Sequence, residues 1–307
     1  MNFIRKIPMP MSGVALAVAS LGNLLVTPFG DAVRLICGIV SLVLLLMFLL
    51  KVVCDFKNVK EDLKNPVLLS VLPTSTMAVM VISTYLKPHI GLCALILWYA
   101  ALAVHVFIML LFAKRFILGF ELKNVFPTWF VACVGIVAAS VTSADMGTTH
   151  IGQIIFYIGF VFYMIVLPVV ILRVAKIEIP EPARPTIAIF TAPMNLSLVG
   201  YFSAFDTHNT VLVYGMLIAS ILLYIYATIK VVPLLKTKFF PSFAAFTFPY
   251  VISATAYSLA NDFLIEQGFG FFAFVPVVTK WFAIAIVVFV LIRYAMFFAS
   301  IIRTKPE

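Results

Sequence analysis

Charged residues are scarce in this chain, and acidic residues are the scarcest of them. Only 11% of its 307 residues are charged, whereas an ordinary globular domain carries about 25%. Apolar residues make up 64% of the chain, against roughly 45–50% in such domains. A soluble fold cannot hide this much apolar surface, because the buried fraction of a protein grows only slowly with its size. The composition therefore predicts an integral membrane protein.

Motifs for catalysis and for metal binding are also missing. The sequence contains no G-x-x-x-x-G-K-[ST] loop, no H-E-x-x-H helix and no plausible pair of catalytic carboxylates. The cysteines, Cys37, Cys54, Cys93 and Cys133, do not have C-x-x-C or metal-site spacing. We therefore expect no enzymatic activity, no catalytic residue, no metal and no cofactor. We assign the net charge of +9 to membrane topology rather than to nucleic-acid binding.

Long apolar stretches predict the spans. A membrane-spanning helix needs roughly 20 mostly apolar residues, and continuous runs of this kind exclude a barrel, whose strands alternate. Ten stretches qualify: 7–27, 33–53, 67–86, 91–112, 128–144, 151–172, 186–205, 211–232, 242–261 and 272–298. The predicted fold is an all-α integral membrane protein with ten spans, in a single transmembrane domain over residues 1–307.

Basic residues orient these spans. If the N-terminus is placed on one side, all 21 Lys and Arg residues except Arg34, Lys87 and Lys280 fall on that same side. An excess of Lys and Arg in loops marks the cytoplasmic side. The distribution predicts a multi-pass protein of the cytoplasmic membrane, with both termini in the cytoplasm.

Prolines divide the spans into two classes. Pro10, Pro73, Pro127, Pro193 and Pro249 mark the odd-numbered spans, which are also rich in small and hydroxyl residues, whereas the even-numbered spans are bulkier. This pattern indicates five consecutive helical hairpins, with slim odd spans around an axis and heavy even spans facing lipid. A solid bundle with tightly packed helices is the alternative explanation for the small residues.

Proline breaks favour a pore. A proline inside a span frees backbone groups, which are tolerated where they face protein or a wet cavity and can then contact an ion. Ionisable residues are nearly absent from the spans: His105 is the one deeply placed histidine, and we interpret it as a packing residue rather than a proton relay. The candidate pore-lining residues are Gly13, Ala17, Pro73, Thr76, Gly135, Ala139, Pro193, Ser197, Thr247 and Pro249.

Several short motifs resemble one known family. The stretch 245–249 (AFTFP) followed by 253–256 (SATA) is similar to the ninth helix of the TehA family, which groups bacterial tellurite-resistance proteins, fungal malic acid transporters and plant slow anion channels. Pro8-Met9-Pro10 with Gly13, the stretch 72–77 (LPTSTM), the stretch 184–186 (RPT) with Ala192-Pro193, and the stretch 272–275 (FAFV) also resemble it. Pro66 and Pro73 stand closer together than in the bacterial pattern, which puts the start of the third span in doubt.

The resemblance carries specific implications. It implies a central pore lined by the odd helices, a homotrimer in which each subunit conducts, and a phenylalanine of helix nine that closes the pore, here Phe248. The first functional hypothesis is a gated channel for small monovalent anions, with membrane lipid as the surrounding partner and no nucleic acid. The alternative is a proton-coupled exporter of C4-dicarboxylates such as malate, or of tellurite, which the scarcity of membrane carboxylates disfavours.

Overall fold

The computed structural model describes residues 2–270 and 272–303. Helices dominate, and no strand occurs among these residues. The α-helices are α1 (Asn2–Arg5), α2 (Met11–Phe29), α3 (Asp31–Cys54), α4 (Phe56–Asp62), α5 (Pro66–Val71), α6 (Thr74–Phe112), α7 (Trp129–Val134), α8 (Ala138–Met146), α9 (Thr149–Lys176), α10 (Ala192–Ala204), α11 (Thr210–Leu234), α12 (Phe248–Glu266) and α13 (Phe274–Arg303). The predicted all-α membrane class is confirmed.

Tighter helical turns interrupt the odd-numbered spans. The 3-10 segments are Gly135–Val137 between α7 and α8, Glu181–Thr191 before α10, and Pro241–Phe246 before α12. The third span is broken between α5 and α6 beside Pro73, and the first begins its long helix directly after Pro10. Because proline lacks a backbone donor and clashes with the preceding turn, the first, third, seventh and ninth spans begin an α-helix directly beside their marked prolines. The fifth span is the exception, because its 3-10 turn at Gly135–Val137 lies well after Pro127.

Nine stretches of the described chain are long and apolar enough to cross a membrane. One of them, Pro66–Ile117, has 52 residues, or about 78 Å of helix at 1.5 Å per residue, which is far longer than one crossing. It contains a kink at Gly91, whose φ of 41° and ψ of −103° are not helical. Its two limbs, residues 74–90 and 92–112, correspond to the third and fourth predicted spans, and the count of ten crossings itself stays a prediction.

Burial separates two layers of helices. In the most apolar part of Met11–Phe29, Trp129–Met146, Glu181–Ala204 and Pro241–Glu266, between 67% and 83% of the residues are buried. The corresponding share is 22–33% in Asp31–Cys54, Thr149–Lys176, Thr210–Lys236 and Phe274–Arg303. The slim odd spans are therefore the inside of the molecule, and the bulky even spans present apolar side chains outward, as a lipid surface requires.

We call the buried layer the inner ring. Its five members are α2, α5 with residues 74–90, α7 with Gly135–Val137 and α8, Glu181–Thr191 with α10, and Pro241–Phe246 with α12. The ring closes because each member contacts the next and the last contacts the first. One contact at each of the five junctions is Ser12–Thr74, Met77–Gly135, Val137–Gly200, Asn195–Ser253 and Thr247–Gly13. The outer ring consists of α3, residues 92–112, α9, α11 and α13.

Candidate pore

A small cavity lies where all members of the inner ring meet. We call it the central cavity; its volume is about 60 Å³. Its lining residues are Pro10, Gly13, Val67, Val71, Thr74, Met77, Phe130, Val131, Val134, Gly135, Thr186, Ile189, Ala192, Pro193, Leu196, Ser242, Ala244, Ala245, Phe248 and Pro249. Every one of the five members of the ring contributes residues to this lining. The cavity therefore lies on the axis that the ring encloses.

The central cavity is an apolar neck. Three hydroxyl side chains reach its lining, and each has a partner in the protein: Thr74 donates to the carbonyl oxygen of Val71 at 2.8 Å, Thr186 to that of Ala183 at 2.6 Å, and Ser242 to that of Pro182. None of the described lining residues carries a charge. An ion in the neck would therefore meet apolar surface and backbone dipoles rather than a charged trap.

Helix ends supply those dipoles. Four α-helices of the inner ring, α2, α6, α10 and α12, begin at or within a residue of the cavity lining. The N-terminal end of an α-helix carries about half a positive charge, and each such end stabilises a nearby anion by about 0.3–1 kcal/mol where solvent screens it. Four positive ends around one neck favour anions over cations.

Phe248 occupies the break in the last member of the inner ring. It is the first residue of α12, and Thr247 before it has φ −94° and ψ −82°, outside the helical region. The neighbouring Phe243 and Phe246 pack their rings on each other, with centroids 4.9 Å apart, and are fully buried. Phe248 lines the cavity instead, and it is paired with no other aromatic ring in the part of the chain that is described.

A second, larger cavity adjoins the neck on the side of the N-terminus. We call it the basic vestibule; its volume is about 670 Å³. It is lined by residues 5–10, Lys51, Asp62, residues 65–68, Lys123, Asn124, Phe126, Pro180, Pro182, Ala183 and residues 240–242. Pro10, Val67 and Ser242 line both cavities, so the vestibule leads to the neck.

Cations outnumber acids in the basic vestibule. Of the residues that the structure describes, four cations line it, Arg5, Lys6, Lys51 and Lys123, against the single carboxylate of Asp62. Glu121 lies 3.2 Å from the Lys123 ammonium group, whereas Lys6 has no ion-pair partner among the described residues. Clustered charge of one sign in a concave site raises the local concentration of counter-ions. The vestibule therefore attracts anions.

Lys51 holds the vestibule wall together. The residue is 4% exposed, and its ammonium group donates to the carbonyl oxygen of Arg5 at 2.8 Å. It also lies 3.3 Å from the carboxylate of Asp55, which is 3.8 Å from the guanidinium of Arg5. Burial raises the pKa of the nearby Asp62 carboxyl above its ordinary value; the Lys51 cation opposes this rise and the Asp55 carboxylate adds to it.

Arg173 is a functional candidate that the sequence reasoning did not single out. It is only 1% exposed, and its guanidinium stacks 4.5 Å from the ring centroid of Phe126, which lines the vestibule. It donates to the carbonyl oxygen of Ile177 at 2.9 Å and has no acidic partner among the described residues. A buried cation directly behind the wall adds positive potential to the vestibule.

His105 also reaches the inner ring. It belongs to the outer ring, yet its Nδ1 lies 2.7 Å from the hydroxyl of Thr76, and its Nε2 is buried without a partner. The imidazole of His105 stands behind Gly135, with Cε1 and Nε2 at 3.4 and 3.7 Å from the position that a Cβ at this glycine would take. Periodicity could not reveal this contact, because the two limbs of α6 had to be folded together first.

The predicted pore-lining residues divide into two groups. Gly13, Gly135, Pro193, Phe248 and Pro249 line the central cavity. Outside that lining are Ala17, Pro73, Thr76, Ala139, Ser197 and Thr247. Thr76 and Thr247 have other partners: Thr76 donates to the carbonyl oxygen of Pro73 at 2.7 Å and Thr247 to that of Ala244 at 2.6 Å.

Comparison with known proteins agrees with this architecture. The sequence model of the SLAC1 family, described as voltage-dependent anion channel, matches residues 6–298. The chain belongs to this family. The match includes every member of the inner ring and nearly all of the outer ring.

A bacterial relative gives the same placement. The chain is 27% identical over 209 residues to a protein of Haemophilus influenzae named tellurite resistance protein TehA homolog. The match covers 64% of this chain and 62% of the relative, so it spans less than two thirds of that protein's length. The expected resemblance to TehA proteins is confirmed, and membership of the SLAC1 family indicates an anion channel or transporter in a membrane rather than an enzyme.

Proposed function

We propose that this protein is a gated channel for small monovalent anions and that the ring of Phe248 closes it. The observation that carries the proposal is the central cavity: all five members of the inner ring line it, and Phe248 lies in it at a helix break. Membership of the SLAC1 family supports the same function.

The neck explains how such a channel could be shut. A volume of about 60 Å³ holds only a few water molecules. An anion pressed into this space would lose most of its hydration, and the loss of hydration by an unpaired ion costs several kcal/mol. Removing the Phe248 ring would widen the neck and let water accompany the ion.

The vestibule explains how anions are selected. Arg5, Lys6 and Lys123 concentrate anions at its mouth, and the positive helix ends around the neck stabilise them further inside. No carboxylate lines the neck in the described chain, so a permeating anion meets little repulsion. Small anions with weak hydration fit this arrangement best.

Current measurements test the gate. In planar bilayers or oocytes, the Phe248→Ala variant should raise anion current by at least about tenfold, which corresponds to about 1.4 kcal/mol removed from the barrier. Phe248→Leu keeps a bulky side chain in the neck and should raise it much less. Phe246→Ala is the matched control, because it removes the same ring from a residue that does not line the cavity. Unchanged current in Phe248→Ala, at normal surface expression, would rule out this gate.

A coupled transporter is the second candidate. The relative's name refers to tellurite resistance, and the alternative substrates are tellurite or a C4-dicarboxylate such as malate. Proteoliposomes with a pH-sensitive dye distinguish the two mechanisms. Proton movement in fixed ratio to anion movement indicates coupled transport, whereas flux that follows voltage alone indicates a channel.

Orientation and assembly belong to the same proposal. We infer that the N-terminal face lies in the cytoplasm and the protein in the cytoplasmic membrane, which the asymmetry of basic residues and the basic vestibule support. A homotrimer, with one pore in each subunit, is proposed from the resemblance to TehA proteins. Cysteine accessibility at Cys54, which is exposed near the vestibule face, tests the orientation, and mass measurement in lipid nanodiscs tests the assembly.

A further inference from the structure

The neck has one titratable neighbour whose polar atom lacks a partner. Nε2 of His105 is buried and makes no hydrogen bond. The other nitrogen, Nδ1, lies 2.7 Å from the Thr76 hydroxyl, whose single proton goes to the carbonyl oxygen of Pro73 at 2.7 Å. Both bonds form together only if Nδ1–H donates to Thr76. Nε2 therefore carries a bare lone pair in the neutral ring.

This lone pair faces the wall of the central cavity. A Cβ at Gly135 would stand 3.7 Å from Nε2 and 3.0 Å from the sulfur of Met77. Gly135 and Met77 both line the cavity. Because Gly135 has no side chain, the imidazole packs against its backbone, beside the side chain of Met77.

We propose that His105 is the proton site of the anion pathway, and that its protonation at Nε2 promotes anion conduction. The proposal rests on the channel function argued above. A neutral ring turns a lone pair toward the neck and repels an anion. A protonated ring turns an N–H donor and a positive charge toward it. By linkage, an anion in the neck raises the proton affinity of His105, and the proton raises the affinity for the anion to the same extent.

Few other titratable groups surround this ring. The helix α2, which packs against α6, contains no titratable residue. Residues 74–84 of α6 itself contain none either. Cys133 on α7 stands two residues before Gly135, and Asp145 lies ten residues after it, about 15 Å along the helix. The titratable groups of α3 nearest to α6 lie around Tyr85. Arg34 stacks on the Tyr85 ring, and Cys37 and Tyr85 both lie against Gly22.

Two further sets of charges lie toward the vestibule. Lys51 of α3 is paired with Asp55. Lys114 and Arg115 follow α6, where Arg115 donates to the carbonyl oxygen of Leu63. None of these groups contacts His105 among the described residues, so the imidazole has no fixed counter-charge. An anion in the neck would supply it.

The test uses the open-pore variant Phe248→Ala in planar bilayers with chloride or nitrate. Between about pH 7.5 and about pH 4, its anion current should rise several-fold, up to about tenfold, as the imidazole takes up a proton. Phe248→Ala/His105→Asn should lose this rise, since an Asn amide can still donate to Thr76 but has no Nε2 to protonate. Phe248→Ala/His150→Asn is the matched control at an exposed histidine and should keep the rise.

Two more variants keep the test decisive. His105→Gln replaces the ring if the Asn variant does not reach the membrane. A variant that keeps His105 as its single histidine (His89, His150 and His208 all changed to Asn) should retain the whole acid response. Each variant is also measured with Asp62→Asn added. This removes the contribution of the vestibule carboxylate, because protonation of Asp62 would also raise the anion current in acid.

The outcomes are distinct. If Phe248→Ala/Asp62→Asn conducts but shows no rise in acid, or if the rise survives when His105→Asn or His105→Gln is added to that background, the proton site is not His105. Loss of the response in the single-histidine variant would also overturn the proposal. If Phe248→Ala carries no anion current at any pH, the channel function fails instead.

Discussion

The hydroxyl of Thr76 lies 2.7 Å from Nδ1 of His105, although the two residues are 29 positions apart in one 39-residue helical element. A straight helix would separate them by about 43 Å. Gly91 stands midway between them, so the chain reverses there and the two limbs run antiparallel. This contact turns an apparently continuous helix into a hairpin and joins the outer ring to the inner ring at the level of the central cavity.

The reversal at Gly91 predicts a backbone effect on stability. Gly91 has a φ of 41°, and a Cβ there would meet nothing within 4 Å. Gly91→Ala should therefore lower the free energy of unfolding by about 1 kcal/mol through backbone strain alone. Gly215→Ala is the control, because that glycine also has open space around it but lies inside α11 with helical geometry. Thermal unfolding in detergent should show a loss for Gly91→Ala and none for Gly215→Ala.

Gly159 marks a close approach between the outer ring and the inner ring of helices. A Cβ at this residue of α9 would lie 2.1 Å from Cγ2 of Val137, and Val137 is fully buried. Gly159→Ala should cost about 1–3 kcal/mol by overpacking. Val137→Ala removes the opposing methyl groups, so the double variant should be more stable than additive losses predict. Strict additivity in a double-mutant cycle would contradict this contact.

Lys51 and Asp55 form a buried ion pair, since they are 4% and 6% exposed. Asp55→Asn leaves the buried Lys51 charge without its carboxylate partner and should lower the free energy of unfolding by about 2–4 kcal/mol. The loss is limited because the Lys51 ammonium group keeps its hydrogen bond to the carbonyl oxygen of Arg5. Adding Lys51→Met should recover much of the stability. Glu181→Gln is the control, because its pair with Lys238 is exposed and should change stability by less than about 1 kcal/mol. Thermal unfolding of these three variants in detergent tests the prediction.

Asp62 predicts a dependence of current on pH. Burial raises the pKa of this carboxyl, so its charge is lost at a higher pH than that of an ordinary aspartate. As the pH falls, its protonation removes the one acidic charge that lines the basic vestibule, and anion current should rise. Asp62→Asn should raise the current already at neutral pH and remove this part of the response. Glu61→Gln, which alters an exposed carboxylate paired with Lys64, should leave the current unchanged in the same recordings.

Much of the fold followed from local patterns. The predicted fifth span, 128–144, agrees closely with Trp129–Met146, because length and apolarity are set by the bilayer alone. The prolines gave the positions of the breaks in the first, third, seventh and ninth spans, since a missing backbone donor acts locally, but not that of the break at Gly135–Val137. The two layers followed from side-chain bulk.

The lining of the candidate pore was less predictable. Gly13 and Ala17 lie on the same helix and are both small, yet Gly13 lines the central cavity and Ala17 is packed within the ring. A small side chain serves a neck and a close helix contact equally well. Moreover, the 3-10 turns beside the breaks rotate the helix away from a 3.6-residue period. Which face of each helix turns to the axis therefore could not be read from spacing.

The sequence by itself determined the membrane class, the alternation of slim and bulky helices and the proline-marked breaks of the inner helices, because each depends on the composition of one segment and its solvent. Only the tertiary structure decided that Phe248 stands in a neck shared by five helices, and that His105 lies behind Gly135. Those relationships join residues far apart in the chain, and close packing across helix junctions, rather than any local preference, fixes them.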